Sequence, residues 1–443
     1  MTKNLFLYKS AVVASLAGFL FGFDTAVISG AEQDIQSLWS LNSTLHGLAI
    51  SMALWGTVVG SLFGGWPSEI FGRKKTLLWI GILYLVSSIG SACAADVYSF
   101  MLFRFLGGLG VGISTVASPM FIAEIAPENA RGRLTGMFQF NIVFGILMAF
   151  VSNSILSGIG DNDWRWMLGV QAFPSLIFAL SCIGLPESPR WLITNKKDLV
   201  GGTAVLKKIN PSFTESQLSA LVSEVENSAK QENQGSRFFS RGLMKPIFLA
   251  FFVAFFNQLS GINAILYFAP RIFEMTGLGA QAALLQSVGI GVMMLIFTFV
   301  GLWLIDRLGR RTLLYIGSFG YIISLGATAF AFAYGNTSLI PIFIFAFIAA
   351  HGIGQGAVIW VLISEIFPNK YRAYGQTLGS FTHWFFAALI TLFFPIMANQ
   401  LAPEYIFGIF FVMMILQLFW VHFFVPETKG ITLEEMESHL KAK

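Results

Sequence analysis

The sequence predicts an all-α membrane protein, with twelve transmembrane helices in two six-helix halves joined by a helical linker. Three observations predict it. Hydrophobic residues make up 55% of the chain and charged residues only 11%, where a soluble domain carries about a quarter charged. Apolar runs of about 20 residues, long enough to cross the roughly 30 Å hydrocarbon core as helix, recur twelve times. Short polar motifs at the ends of the first six runs return about 240 residues later, the mark of an internal duplication.

The runs lie near 10–30, 45–66, 76–95, 98–124, 134–157 and 166–186, then near 244–267, 281–305, 312–333, 341–366, 374–398 and 404–425. Helices satisfy their own backbone where no water reaches, so each run reads as a helix. The short alternating segments of a membrane β-barrel are not visible. The 46 Phe and 44 Gly fit bundled helices, because glycine lets helices approach closely and aromatic residues anchor helix ends. The first run resembles a signal-peptide core, but no small-residue cleavage site follows it, and it is expected to remain as the first span. Cys93 and Cys182 both fall inside apolar runs and read as packing residues, so neither a disulfide framework nor a zinc site is expected.

The expected domains are a six-helix half at 1–188, a linker of short amphipathic helices at 189–242, a second six-helix half at 243–425 and a tail at 426–443. With both termini in the cytoplasm, 24 of the 27 Lys and Arg fall on that side, all but Arg104, Arg165 and Arg271. That bias sets the expected orientation in a cell membrane. The net charge of +4 then needs no nucleic-acid partner.

Three pairs of motifs carry the repeat. Glu124-Ile-Ala-Pro127 with Arg131 returns as Glu365-Ile-Phe-Pro368 with Arg372, Gly72-Arg73-Lys74 as Gly309-Arg310-Arg311, and Pro186-Glu187-Ser188 as Pro426-Glu427-Thr428. Two halves related in this way enclose a cavity near the bilayer midplane that rocking exposes to each side in turn. No nucleophile set, metal-ligand spacing or phosphate-cradling loop with a lysine is present. Gly107-Gly-Leu-Gly110-Val-Gly112 lies inside a span and reads as helix packing. Neither an enzyme nor a nucleotide-driven pump is expected, and no cofactor; energy would come from a gradient.

From Phe19 to Leu433 the chain resembles the sugar porter family of the major facilitator superfamily. The strings that carry the resemblance are Phe21-Gly-Phe-Asp24-Thr-Ala-Val-Ile-Ser-Gly30, Arg104-Phe-Leu-Gly-Gly-Leu-Gly-Val-Gly112, Pro186-Glu-Ser-Pro-Arg-Trp191, Gln258-Leu-Ser-Gly-Ile-Asn263, Asp306-Arg-Leu-Gly-Arg-Arg311 and Pro426-Glu-Thr-Lys-Gly430. The resemblance implies a monomeric transporter that imports a monosaccharide by alternating access.

Asp24 sits midway along the first span, where a carboxylate costs roughly 2.5–3.5 kcal/mol and needs a cavity and a partner. Arg104 is the expected partner. The resemblance implies this Asp and Arg pair in proton-coupled members, so protonation of Asp24 would release Arg104. The alternative is a permanent structural ion pair in a facilitative carrier. Bacterial xylose and proton symporters of the family carry a Glu in the sixth span where this chain has Gln171.

Side-chain amides offer a donor and an acceptor to each sugar hydroxyl, and aromatic faces cover the C–H surface of the ring. By resemblance, Asn257, Gln258, Asn263 and Tyr267 in the seventh span and Gln139 in the fifth contact sugar, and Gly261 permits a helix break. Phe21, Gly356, Trp360 and Trp384 complete the expected site. His351 and His383 resemble mammalian fructose carriers, which makes fructose the first expectation, with glucose, galactose, xylose or a polyol behind it. Trp360 is instead what glucose and xylose carriers have, and Met293-Met294 stand where hexose carriers place an Asn. His351 reads equally well as a helix–helix hydrogen bonder. A non-transporting sugar sensor would normally carry a longer tail.

Arg73, Glu124, Arg131, Glu187, Arg190, Asp306, Arg307, Arg310, Glu365 and Arg372 form the expected cytoplasmic gate, pairing between the halves when the inner side is closed. In the first of these loops Glu69-Ile70 replaces the Asp-Arg usual in the family.

Overall fold

Backbone amides cut off from water must pair within their own segment, and this chain meets that demand with helices. The structure is a computed structural model and describes residues 4–232 and 238–431. Twelve described helices are long and apolar enough to cross a membrane. They are Leu5–Gly30, Ser43–Phe63, Arg73–Cys93, Val97–Ile125, Ala130–Leu156, Asp163–Ile183, Met244–Tyr267, Ala280–Leu308, Arg310–Ala333, Thr337–Ile366, Arg372–Gln400 and Pro403–Phe424. Most ends fall within a few residues of the sequence expectation. The fifth helix starts earlier, at Glu128, because Pro127 stops the preceding chain in an extended conformation and caps the new helix.

Each half is built from the same neighbours. In the first, span one packs on five, two on four, and three on four and six; in the second, seven packs on eleven, eight on ten and nine on twelve. Spans two with eleven and five with eight join the halves. Glycines let the spans approach closely at both seams, Gly47 against the Leu392 carbonyl and Gly291 against Leu147. Residues past 431, including most of the expected tail, lie outside the described residues.

Between the halves run helices Pro189–Thr194, Leu199–Ile209 and Glu215–Glu232. Ile193, Leu206 and Leu218 give this linker a small core of its own. Asn4 Nδ2 donates to the carbonyls of Lys208 (2.8 Å) and Ile209 (2.6 Å), which ties the linker to the start of the first span. The face carrying the linker is called the linker face below, and the opposite one the distal face.

The repeated motifs fold into one device built twice on the linker face. Gly72 (φ 93°, ψ 164°) and Gly309 (φ 91°, ψ 164°) each turn the chain into the next span. That region of backbone space is open essentially to glycine alone. The turn presents backbone amides to a carboxylate: Arg73 N donates to Glu187 Oε1 at 2.8 Å, and Arg310 N to Glu427 Oε1 at 2.9 Å. A Cβ on either glycine would strike that same carboxylate. Gly72→Ala is therefore expected to lower stability by about 1–3 kcal/mol and the melting temperature in detergent with it. Gly136→Ala, whose new Cβ meets nothing, serves as the neutral control in the same thermal-shift assay.

Candidate functional site

The seventh and tenth spans break at mid-membrane through glycine, and the amide side chains gather at the first of these breaks. The seventh runs as helix from Met244 to Leu259, turns through Gly261 in the left-handed region (φ 86°) and resumes over Ile262–Tyr267. The tenth stops at Ile353, passes Gly354 and restarts over Gln355–Ile366. Broken backbone at membrane depth is tolerated where protein or a water-lined cavity satisfies it. Here Ser260 Oγ donates to Asn257 O at 2.6 Å and accepts from Ile262 N at 3.4 Å.

Gln258 is the hub of the cluster. Its Nε2 donates to Asn257 Oδ1 at 2.9 Å, and its Oε1 accepts from Asn263 Nδ2 at 2.5 Å. The same Nε2 lies 3.2 Å from His383 Nδ1 and 3.1 Å from His383 Nε2, so the imidazole joins the amides whichever nitrogen accepts. Aromatic rings wall this group: Trp360 lies 5.1 Å from His383, Trp384 4.7 Å from His383, and Phe21 5.4 Å from Trp384, centroid to centroid. Phe21 comes from the first half, so the wall closes across the molecule. Trp384 Nε1 is buried without a hydrogen-bond partner among the described residues.

Other expected members surround that hub, His351 lying within electrostatic reach of His383. His351 Nδ1 lies 2.6 Å from the Tyr321 hydroxyl, which makes it a link between spans nine and ten. Its ring also packs where a Cβ on Gly356 would sit. Gln139 is half-buried in the fifth span. Tyr267, nearly fully buried, brings its hydroxyl within electrostatic reach of Arg104 and Asp24 in the other half and beside Thr25.

Asp24 and Arg104 are each 2% exposed, and Arg104 Nη1 donates to Asp24 Oδ1 at 2.7 Å. Nη2 reaches the Asp24 carbonyl at 3.3 Å. Arg104 Nε is buried with no partner among the described residues, so the guanidinium leans on one carboxylate for its charge. Gln171 stands where the sixth span turns, and its Nε2 donates to Leu20 O at 3.4 Å, one turn before Asp24.

On the linker face the charges pair inside each half. Arg73 holds Glu124 through Nε (3.0 Å) and Nη2 (2.8 Å), and Arg310 holds Glu365 through Nε (3.0 Å) and Nη2 (2.7 Å). Asp306 lies 3.2 Å from Arg310, Arg307 stacks 3.8 Å over Trp303, Arg372 Nε donates to the Ser364 carbonyl at 3.0 Å, and Arg131 is exposed. Arg190 acts on the charge of Glu124 from within the same half. Glu69 also reaches Arg73 at 3.0 Å, so the Glu69-Ile70 loop keeps a carboxylate in the network. Among the described residues, several hydrogen bonds join the halves at the other end: Arg271 to Glu32 and Gln36, Gln33 to Glu274, and Gln281 to the Ser154 carbonyl. Arg73 with Glu124 and Arg310 with Glu365 are thus paired within their own halves in this conformation, whose distal face is clamped by Arg271 and Glu32.

The sequence model described as sugar (and other) transporter matches residues 10–440. The chain belongs to the sugar porter family. It is 36% identical to the arabinose-proton symporter of Bacillus subtilis over 98% of this chain and 94% of that one. It is 32% identical to the D-xylose-proton symporter of Escherichia coli over 98% and 96%. Among solved structures, the partially occluded inward-open form of the E. coli xylose transporter superposes with a TM-score of 0.86 at 30% identity, covering 96% of this chain and 99% of that one. The proton:xylose symporter bound to 6-bromo-6-deoxy-D-glucose superposes with 0.81 at 30% identity, over 98% and 99%. The fold is the major facilitator fold, and the higher score with the inward-open form agrees with a clamped distal face.

Sequence reasoning passed over two features of this sugar porter. Gln355 is fully buried at the restart of the tenth span, with neither amide atom partnered among the described residues; a polar residue directly after the helix-breaking Gly354 was the available signal. Glu32, Gln36, His46 and Arg271 read as ordinary loop-flanking polar residues, and only tertiary structure brings them together. For the hub, Gln258→Ala strands the Asn263 and Asn257 amides. It is expected to weaken sugar binding about tenfold or more, measured by calorimetry on purified protein.

Proposed function

We propose that this sugar porter imports a monosaccharide, with an aldopentose as the preferred substrate, by proton symport through alternating access. The observation that carries the proposal is the water-excluded Asp24–Arg104 pair at 2.7 Å, with Tyr267 of the opposite half beside it. An isolated charge at that depth is costly, so Asp24 stays ionised while it holds Arg104 and accepts a proton when the pair opens. Sugar would bind at the Gln258 hub, where Asn257, Asn263, Gln139 and His383 supply hydrogen bonds and Trp360, Trp384 and Phe21 supply ring faces. Binding draws on the segment 262–267 that ends at Tyr267, so occupancy of the sugar site and the charge state of Asp24 act on one element.

The linker face is assigned to the cytoplasm on the lysine and arginine bias. Arg73, Glu124, Glu187, Arg190, Arg310 and Glu365 then form the inner gate, with the two motif cages as rigid ends that exchange partners when the inner side closes. Aldopentose is favoured over the fructose expected from sequence. The two named relatives are arabinose- and xylose-proton symporters, and His351, half of the case for fructose, is engaged by Tyr321. His383 remains at the hub and keeps fructose as the competitor to test.

In liposomes with an inward proton gradient, labelled arabinose or xylose is expected to accumulate above equilibrium, with fructose competing poorly. Asp24→Asn should abolish accumulation while counterflow exchange persists. Equilibration without accumulation in the wild type would make the protein a uniporter and the ion pair structural.

A further inference from the structure

The distal clamp contains a buried acid–base pair that neither the sugar hub nor Asp24 uses. Glu32, in the short helix after the first span, is fully buried. It accepts Arg271 Nε on Oε1 and Arg271 Nη2 on Oε2, both at 2.8 Å, and the Arg comes from the other half of the molecule. Gln36 Oε1 accepts from the same guanidinium at 2.6 Å. On the other side of Glu32 stands His46, also fully buried, with Nε2 at 3.0 Å from Oε2. Beyond that contact neither ring nitrogen has a hydrogen-bond partner among the described residues.

What buries His46 is the closed seam itself. Phe268 of the second half meets its ring edge-on at 6.2 Å, and the neighbouring Gly47 lies against the Leu392 carbonyl. When the seam parts, Arg271 and Phe268 leave together, and Glu32 keeps only His46 as a source of positive charge. A route for water already reaches the clamp, a cavity of about 430 Å³ lined by Gln33, Gln36, Arg271 and Asn399 among others.

The surrounding charges set the sign. Asp34 lies on the same short helix as Glu32, Glu274 follows Arg271 on the seventh-span segment, and Asp163 opens the sixth span. Partial desolvation and then Asp163, Glu32 and Glu274 raise the Asp34 carboxyl above its usual value. In the second span, Ser43–Phe63, His46 is the one titratable residue, and the outer part of the eleventh, residues 387–400, has none. With Arg271 on Glu32, a proton on His46 adds a second cation to one carboxylate. With Arg271 gone, the same proton replaces the missing charge. The open form therefore binds it more tightly, and by linkage the proton favours opening.

We propose that the Glu32–His46 pair is a second proton-binding site, reached from outside, whose occupancy loosens the Arg271 clamp and favours the outward-open state. It is distinct from Asp24, and it rests on the transport reading above only for its orientation in the membrane.

The test follows exposure of the seam in cells with a membrane-impermeant maleimide, in a Cys93→Ser, Cys182→Ala background. Thr391→Cys, fully buried beside the seam, is the reporter. Gly160→Cys, on an exposed loop of the distal face, is the reference that cancels the pH dependence of the thiol. The ratio of reporter to reference labelling is expected to rise at least threefold from pH 8 to pH 5.5, and to do so in Asp24→Asn as well. His46→Gln should flatten it. Arg271→Gln should hold it high at both pH values, which keeps the test decisive if His46→Gln fails to reach the membrane. A rise preserved in His46→Gln, or a low and still pH-dependent ratio in Arg271→Gln, would overturn the proposal. No labelling of Gly160→Cys from outside would instead overturn the orientation.

Discussion

A peptide group without a hydrogen-bond partner in hydrocarbon costs several kcal/mol, and the architecture follows from that constraint. It forces each span to be helical, and it makes each break in a helix an expensive feature that surrounding protein must support. The chain breaks the seventh span at Gly261 and the tenth at Gly354, and the polar side chains of the candidate site cluster at those two places. A helix kept whole there would hold Asn257, Gln258 and Asn263 to helical spacing on a regular surface. The break lets Asn263 fold back onto Gln258.

The same constraint explains how much could be read in advance. Apolar length set the twelve spans, and the recurrence of Gly72-Arg73 in Gly309-Arg310 marked the two halves because both copies need a turn available only to glycine. The Asp24–Arg104 pair was legible because each residue is anomalous alone in a span and there are few partners to choose from. The gate partners were not. Arg73 had several carboxylates within sequence-level reach, and only the structure shows that it grips Glu124 with two nitrogens. His351 and Gln355 show the limit from the other side: one reads equally as a ligand and as a helix–helix hydrogen bonder and is engaged by Tyr321, the other draws no attention and lies unpartnered among the described residues at a helix break.

Duplication gives the two halves identical scaffolds, and the chemistry divides between them. Each half has its arginine cage and its glycine turn at matching positions. Yet the buried ion pair lies wholly in the first half, and the amide hub draws on the seventh and eleventh spans of the second. A duplicated frame is what rocking of one half against the other uses. The asymmetric filling puts the buried ion pair in one half and the amide hub in the other.

Coupling then needs an element that belongs to one half and feels the other. Residues 262–267 meet that description: Asn263 at one end joins the hub, and Tyr267 at the other faces Asp24, Arg104 and Thr25. Phe268, the next residue, closes over His46 and stacks on Phe394 at 4.8 Å in the eleventh span. A shift of this one segment would alter sugar contacts, the surroundings of the buried ion pair and the cover of the distal clamp together. Free rotation of any of these parts would decouple them, and the packing denies it, since from Ile262 to Phe273 every residue but Arg271 is buried. A segment packed in this way links the sugar hub to the buried ion pair through one element, which is what coupling of proton to sugar requires.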